Sequence, residues 1–261
     1  MKYIGIALLL ASVVGAGHAE GLSGLCMVSV SHNSVRNTDT ADVLLRRSSC
    51  GDGEHDCGTS ENSNISWARW TGVSEEALNH EGAQLTGQMT GDAGELRCSG
   101  VVHVGVLSGR YQFTPNAAFV QKMSAMGFGE ITENKQEAML LLDVNTAWVE
   151  QIKSVGVTDL STGKLIGLRA LHVDLDYIHG MAAAGYPELR ANKLIQMKAV
   201  GVTPETAKEA RALGFQPSEQ DLVQMSIFKI DRPFVERMRA RGLDNLTLAK
   251  LIQIKIFKLD D

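Results

Sequence analysis

The second half of the chain repeats itself about every 29 residues, and this spacing limits the possible folds more than any other feature. Aligned on helix starts, the five copies place these residues in one column: Phe119, Trp148, Tyr177, Thr206 and Phe234. A glycine follows each column residue at a constant distance, and an apolar residue follows each glycine. The last step along the column is one residue shorter than the others. Random composition would hardly produce five such copies.

Each copy carries residues that begin and end helices. Cap-type side chains, which accept hydrogen bonds from the free N–H groups of a first helical turn, stand three residues before the column: Asn116, Asn145, Asp174, Thr203 and Asp231. The glycines end the first helix, because the residue after a helix often adopts a left-handed conformation: Gly127, Gly156, Gly185, Gly214 and Gly242. A second helix is predicted to start at Thr132, Ser161, Ser218 and Thr247, with Arg190 as the exception.

Helix pairs this short cannot bury an apolar face alone, so successive pairs must stack. Residues 116–261 are therefore predicted to form an α-helical repeat array of about five helix hairpins. The stretch "GMAAAGYPELRANK", residues 180–193, first suggests a catalytic or phosphate-binding loop that ends in a lysine. Within the repeat, Gly185 is a helix-ending glycine and Tyr186 is its apolar follower. The stretch is better interpreted as the turn between two packed helices.

The first half has a different pattern. "LCMVSVSH" alternates as a half-buried strand does, and Glu95–Val104 with Gly109–Thr114 predicts a hairpin. Ser74 is expected to begin a short helix, and residues 33–66 are predicted to be mostly loop. The predicted fold class is α+β. A small, disulfide-containing, mostly-β domain over residues 20–115 precedes the helical array.

The first 19 residues have the layout of a secretory signal peptide, with a positive start, a short apolar run and a small-residue cleavage site. The alternative is an uncleaved N-terminal anchor. No later segment is apolar for long enough to cross a bilayer, so we expect no transmembrane segment after cleavage. The mature protein is expected to be exported, and periplasmic or secreted.

All four cysteines lie in the first half. An even number in an oxidising compartment predicts two disulfides, and three pairings are possible. We favour Cys50–Cys57, which closes the loop "CGDGEHDC", together with Cys26–Cys98. The alternative is a metal site, since Asp52, Glu54, His55 and Asp56 lie within that loop. The spacing matches neither a CxxC knuckle nor a HExxH helix, so no cofactor is predicted.

Charge argues against a nucleic-acid partner, because the first half is acidic and the second half has no net charge. A lysine recurs in the second helix of four copies, at Lys135, Lys164, Lys193 and Lys250. This row would either dock an acidic partner or lay its methylenes beside the core. The chain ends in "LIQIKIFKLDD", which leaves apolar side chains uncovered on the last helix. The candidate partner surface comprises Lys164, Lys193, Lys250, Ile256 and Phe257.

Two histidines and two carboxylates, His172, His179, Asp174 and Asp176, flank one turn and could hold a metal or act as a pH switch. The corresponding positions of the other copies do not maintain such ligands, which argues against a site there. The sequence contains no GxSxG, HExxH, P-loop or GxGxxG motif. We therefore expect a protein that is not an enzyme.

The stretch "GELRCSGVVHVGVLSGRYQFTPNAAFVQKMSAMGF", followed by units such as "GVTPETAKEARALGF", resembles extracytoplasmic extensions of bacterial BlaR-type (M56) membrane peptidases and anti-sigma-like proteins. Stand-alone exported proteins share the pattern. The resemblance covers roughly residues 95–261. The zinc motif and membrane helices of the peptidase are absent, so no peptidase role carries over. The resemblance implies a bacterial envelope module that binds or senses something.

Three functional hypotheses follow. The first is an exported, non-enzymatic binding or regulatory module that mediates protein–protein interaction in the bacterial envelope. Its partner would be an unidentified envelope protein, or a second copy bound through the C-terminal helix. The second is a sensor of a small molecule or cell-wall fragment bound between the two domains. The third is a metal-dependent enzyme that uses the acidic Cys50–Cys57 loop.

Overall fold

The computed structural model describes residues 21–31, 40–48, 58–243 and 246–259. The predicted signal peptide and the predicted Cys50–Cys57 disulfide lie outside these ranges, as does the acidic loop between the two cysteines. An antiparallel sheet comes first in the chain and helices follow it. The structure therefore confirms the α+β class and the order of its two parts.

Seven antiparallel strands form one curled sheet within the described residues. The strands are β1 Ser23–Val30, β2 Thr40–Arg47, β3 Thr59–Ser66, β4 Trp70–Thr71, β5 Gln84–Gly91, β6 Gly94–His103 and β7 Val106–Pro115. Their order across the sheet is β3-β2-β1-β7-β6-β5-β4, so the first and last of these strands meet at its centre. A short helix, α1 (Glu75–Leu78), begins at Ser74 as predicted, and the Ser74 hydroxyl accepts a hydrogen bond from the Ala77 amide.

The Cys26–Cys98 disulfide is present and passes over the central strand of the sheet. Cys26 lies on β1 opposite Gly109 of β7, whereas Cys98 lies on β6, the other neighbour of β7. Their Cα atoms are 6.0 Å apart, whereas strands two places apart in a flat sheet are about 9.6 Å apart. The sheet must therefore curl sharply here. A Cβ on Gly109 would lie 2.0 Å from the Ser99 carbonyl oxygen, so only glycine fits at this position.

The prediction that residues 33–66 are mostly loop is wrong for β2 and β3. On β2, Ala41, Val43 and Leu45 are buried and alternate with less buried residues, which is the pattern of a strand with one face on the core. On β3 only Ile65 is buried, because β3 is an edge strand and most of its side chains face solvent. Few bulky apolar residues were therefore needed to form these two strands.

Ten helices of nine residues each follow the sheet in the described part of the chain. Every predicted cap forms: the side chains of Asn116, Asn145, Asp174, Thr203 and Asp231 accept hydrogen bonds from first-turn amides. The helix-ending glycines all have φ between +83° and +99°. The helices are α2 Ala117–Ala125, α3 Glu133–Leu141, α4 Thr146–Ser154, α5 Thr162–Ala170, α6 Leu175–Ala183, α7 Ala191–Ala199, α8 Pro204–Ala212, α9 Glu219–Ile227, α10 Arg232–Ala240 and α11 Leu248–Ile256.

Helices two places apart along the chain contact each other. One series joins α3, α5, α7, α9 and α11, and contacts also link α2 to α4 and α6 to α8. The stretch that resembled a phosphate loop is the turn between α6 and α7, and Tyr186 is buried there. No helix in the described ranges is long and apolar enough to cross a membrane.

The first helices pack against the sheet. Helix α3 contacts β3, β6 and β7, and Arg69 donates hydrogen bonds to the Leu140 and Leu141 carbonyls at its C-terminal end. The Asp92 carboxylate, in the turn between β5 and β6, accepts hydrogen bonds from the Thr146 amide (2.9 Å) and hydroxyl (2.7 Å) at the start of α4. Sheet and helices are thus joined by specific polar contacts at their junction.

Candidate functional site

A cavity of about 230 Å³ lies among α8, α9 and the beginning of α10. Apolar side chains form most of its wall, and Met225, Leu222 and Ile230 among them are buried. Hydroxyl and charged side chains also line it. The lining residues are Val202, Thr206, Glu209, Ala210, Leu213, Leu222, Met225, Ser226, Lys229, Ile230, Asp231 and Arg232.

The cavity exists where a repeated aromatic side chain is missing. Thr206 occupies the third position of α8, and its amide donates a hydrogen bond to the Thr203 hydroxyl (3.2 Å). The same position after the cap holds Trp148 in α4, Tyr177 in α6 and Phe234 in α10, each with its amide bonded to the cap side chain. All three rings are buried, whereas Thr206 is exposed. The cavity therefore reaches solvent beside Thr206.

The cavity also lacks the basic side chain that lies over the ring in other helix pairs. In three helix pairs a basic side chain of the second helix lies over the ring, 4.2 to 5.0 Å from its centroid: Arg169 over Trp148, Lys198 over Tyr177 and Lys255 over Phe234. Each of these basic residues lies three positions before the residue with a left-handed backbone that follows its helix. The left-handed residue after α9 is Lys229, so the corresponding position is Ser226. Both members of the cation–π pair are thus replaced by small hydroxyl residues.

Neither hydroxyl requires a polar ligand. The Thr206 hydroxyl donates to the Thr203 carbonyl (2.9 Å) and accepts from the Thr203 amide (2.9 Å), which completes a capping box. The Ser226 hydroxyl donates to the Val200 carbonyl. Because their hydrogen bonds are already made with the backbone, the wall between them is effectively apolar.

Charged side chains contribute both signs to the lining. The Arg232 Nε atom lies 2.8 Å from a Glu209 carboxylate oxygen, and an Arg232 Nη atom lies 3.7 Å from Glu236. Lys229 and Asp231 also line the cavity and are exposed. An occupant would therefore meet apolar walls together with charges that are partly paired and accessible to water.

The predicted lysine row is only partly free to bind a partner. The Lys164 ammonium pairs with Asp159, and the Lys193 ammonium lies 3.3 Å from the side-chain oxygens of Gln196 and Gln220. Lys135 donates to the Glu130 carbonyl (2.8 Å). Lys250 is exposed on α11. A role for Lys164, Lys193 and Lys250 in partner binding stays a prediction.

Apolar side chains are exposed at the C-terminal ends of α9 and α11, two helices that contact each other. Phe257 is 66% exposed and Ile256 is 52% exposed. Ile227 and Leu259 are also exposed. We call these four residues the C-terminal apolar surface. Its presence agrees with the sequence argument that the last helix leaves apolar side chains uncovered.

The candidate metal sites gain no support from the described residues. No group of three or more His, Cys, Asp or Glu side chains is placed there to hold a metal ion. Asp174 instead caps α6 through a 2.7 Å bond from the Tyr177 amide. The Cys50–Cys57 loop lies outside the described ranges, so the metal hypothesis for it stays untested.

Sequence reasoning missed Thr206 and Ser226 because they were treated as ordinary members of the repeat. Two signals mark them. Thr206 is the non-aromatic residue in the column of helix starts, and the single shortened step follows it. In a repeat, a position whose residue differs from its counterparts in the other copies is a candidate functional position.

Comparison with known proteins gives no match: no family model, no curated protein and no solved structure matches this chain.

Proposed function

We propose that the protein is an exported, non-enzymatic binding module that mediates protein–protein interaction in the bacterial envelope. The C-terminal apolar surface carries this proposal. Soluble proteins rarely leave contiguous large apolar side chains exposed, and such surfaces often mark interaction sites. Phe257 is 66% exposed at the end of a helix whose other face is buried through Leu251. An apolar segment of a partner protein would remove this surface from water.

We further propose that the ten helices act as an array of five repeated pairs. Three observations support this interpretation: the caps recur at equivalent positions, the glycines share one backbone conformation, and alternate helices contact each other. The apolar side chains at the end of α11 are exposed among the described residues, which is why we place the partner there.

Export is supported by the Cys26–Cys98 disulfide, since disulfides persist mainly in oxidising compartments. The signal-peptide pattern of the first 19 residues favours the same compartment. The resemblance to extracytoplasmic extensions of BlaR-type peptidases and anti-sigma-like proteins is the basis for proposing the bacterial periplasm as the location.

The proposal predicts that the C-terminal apolar surface binds a protein. Affinity purification of the mature protein from envelope extract, with quantitative mass spectrometry, should recover one partner reproducibly. The double variant Ile256→Ser/Phe257→Ser should lose that partner by at least tenfold, because the apolar contact is removed. Light scattering of the purified protein shows first whether the partner is a second copy.

The matched control is Val104→Ser, which removes another exposed apolar side chain (78% exposed) from the β6–β7 turn. This variant should retain the partner. Recovery of no partner by a monomeric protein would contradict the proposal, as would equal recovery by the double variant and the wild type.

A small-molecule sensor is the second candidate function, and the cavity beside Thr206 favours it. The cavity lies within the helical half, whereas the sequence led us to expect a ligand between the two halves. The metal-dependent enzyme remains a third hypothesis, which metal analysis of the purified mature protein would test.

A further inference from the structure

We propose that the cavity beside Thr206 is a binding site for a single aromatic ring. The ring would occupy the place that Trp148, Tyr177 and Phe234 fill in other helix pairs. This site is separate from the C-terminal apolar surface, and it does not depend on the function proposed for that surface.

The first argument is the recurrence of rings. A buried ring stands at the same position after the helix cap in α4, α6 and α10, and Phe119 stands there in α2. Neighbouring helices are therefore spaced to receive a ring at this depth. In α8 the ring is absent, because Thr206 carries only a methyl group and a hydroxyl, and a cavity lies there. The cavity therefore lies where the other helix pairs place an aromatic side chain of the protein itself.

The second argument is size. The cavity measures about 230 Å³, and an engineered apolar cavity of about 150 Å³ in another protein binds benzene. One ring with a small substituent therefore fits. The exposed Thr206 gives such a ligand a way in from solvent.

The third argument concerns the ring substituent. The Tyr177 hydroxyl donates a 3.0 Å hydrogen bond to the Val202 carbonyl, which follows the second helix of its own pair. Ile230 holds the equivalent place after α9 and lines the cavity. A phenol in the cavity would have the Ile230 carbonyl as acceptor. The preferred ligand class is therefore a phenolic ring, either in a free small molecule or in a tyrosine side chain of a partner.

Isothermal titration calorimetry with p-cresol, the side-chain analogue of tyrosine, tests the site directly. The wild-type protein should bind one equivalent, and 4-methylcyclohexanol should bind at least fivefold more weakly. Thr206→Phe should weaken p-cresol binding at least tenfold, because the new side chain supplies the missing ring. Thr206→Tyr should do the same and is the second filled variant. Both are verified as folded by circular dichroism.

The matched control is Thr206→Ser, which keeps the capping hydroxyl and leaves the cavity open. Its affinity for p-cresol should stay within threefold of the wild type. A site-specific signal is also available, because Met225 lines the cavity. Its methyl proton resonance should shift upfield on addition of p-cresol through the ring current, and 4-methylcyclohexanol should not cause this shift.

Competition with N-acetyl-tyrosine amide distinguishes a free phenolic compound from a tyrosine side chain of a partner protein. If it competes with p-cresol, the site accepts a side chain with its backbone and a protein is the source. If it does not compete, the site takes free phenolic compounds. The proposal is overturned if p-cresol does not bind the wild type, or if both filled variants bind it as well as Thr206→Ser does. Ile256→Ser/Phe257→Ser should bind p-cresol normally, so failure of the partner surface would not be mistaken for failure of this site.

Discussion

Glu137 is a buried carboxylate at the junction of sheet and helices. Only 2% of its side chain is exposed, and Arg47 of β2 lies 3.5 Å from one of its oxygens. Burial raises the pKa of this carboxyl group, and the Arg47 charge acts in the opposite direction but does not cancel the effect. Burial, followed by the neighbouring Glu137 carboxylate, also raises the pKa of the Tyr111 hydroxyl. Burying the ionised Glu137 carboxylate at this junction therefore costs free energy.

This arrangement predicts a stability that depends on pH. The unfolded chain releases the Glu137 proton near the ordinary pKa of about 4.3, whereas the folded protein keeps it to a higher pH. Wild-type stability relative to Glu137→Gln should therefore be greatest below that pH and fall as the pH rises through the raised pKa. Urea unfolding of both proteins between pH 4 and pH 8 measures the difference.

Glu150→Gln is the control, since Glu150 is exposed on α4. This variant makes the same change outside the buried junction and shows how much a Glu-to-Gln exchange alone alters urea unfolding. A Glu137→Gln difference that grows in favour of the wild type as the pH rises would show that Arg47 outweighs burial, contrary to our expectation.

At the scale of single elements, α7 begins without a side-chain cap. Arg190 occupies the cap position with an extended backbone, and no side-chain hydrogen bond is made there. The second helices of the other pairs begin with Thr132, Ser161, Ser218 or Thr247, each of which accepts a bond from a first-turn amide. The Lys193 amide, which a cap side chain would bond, donates instead to the Arg190 carbonyl (2.9 Å), and the Ala191 amide donates to the Thr158 carbonyl (3.0 Å).

Arg190→Thr should consequently raise the free energy of unfolding by less than the roughly 1 kcal/mol that a cap usually contributes, because the Lys193 amide already has a partner. Ser161→Ala, which removes the cap of α5, should lower the free energy of unfolding by about 1 kcal/mol. Thermal or urea unfolding of both variants checks the pair. If Arg190→Thr is destabilising, the long arginine side chain contributes more through packing than a cap would.

The sequence predicted those features well that depend on interactions between residues close together in the chain. A cap side chain, a left-handed glycine and the hairpin at Gly105 each act within a few residues, and the structure has all of them. Strands β2 and β3 were missed although β2 pairs with its sequence neighbours β1 and β3, because the residues around them are mostly polar and the pairing itself is a tertiary feature. An edge strand such as β3 needs little apolar character, so Ile65 alone gave no usable signal.

The candidate site was harder to predict for a related reason. A cavity is a missing contact among three helices, and Thr206 by itself is an ordinary helix residue. Its meaning depends on Ser226, which is distant along the chain, and on the rings that occupy the corresponding positions of other pairs. The sharp curl of the sheet, bridged by Cys26–Cys98, likewise depends on which strands meet at the centre.

For the molecule as a whole, the cavity is a gap in packing within one hydrophobic core that extends from the sheet to α11. In the array that we propose, stability would be approximately the sum of unit and neighbour terms, so the pair formed by α8 and α9 should be the weakest point. Amide hydrogen exchange should therefore be faster in α8 and α9 than in α5 and α7. Thr206→Phe should slow exchange in α8 and α9 by at least fivefold, and p-cresol should have the same effect on the wild type. Equal protection along all the helices would contradict this expectation.

The empty ring position then has a mechanical meaning. Helix α9 lines the cavity and also contacts α11, which carries Ile256 and Phe257. Under the two proposals made above, a ring that fills the cavity would hold α9 in place and thereby orient the C-terminal apolar surface. The same small molecule would then set how readily the proposed partner binds, although the two sites share no residue.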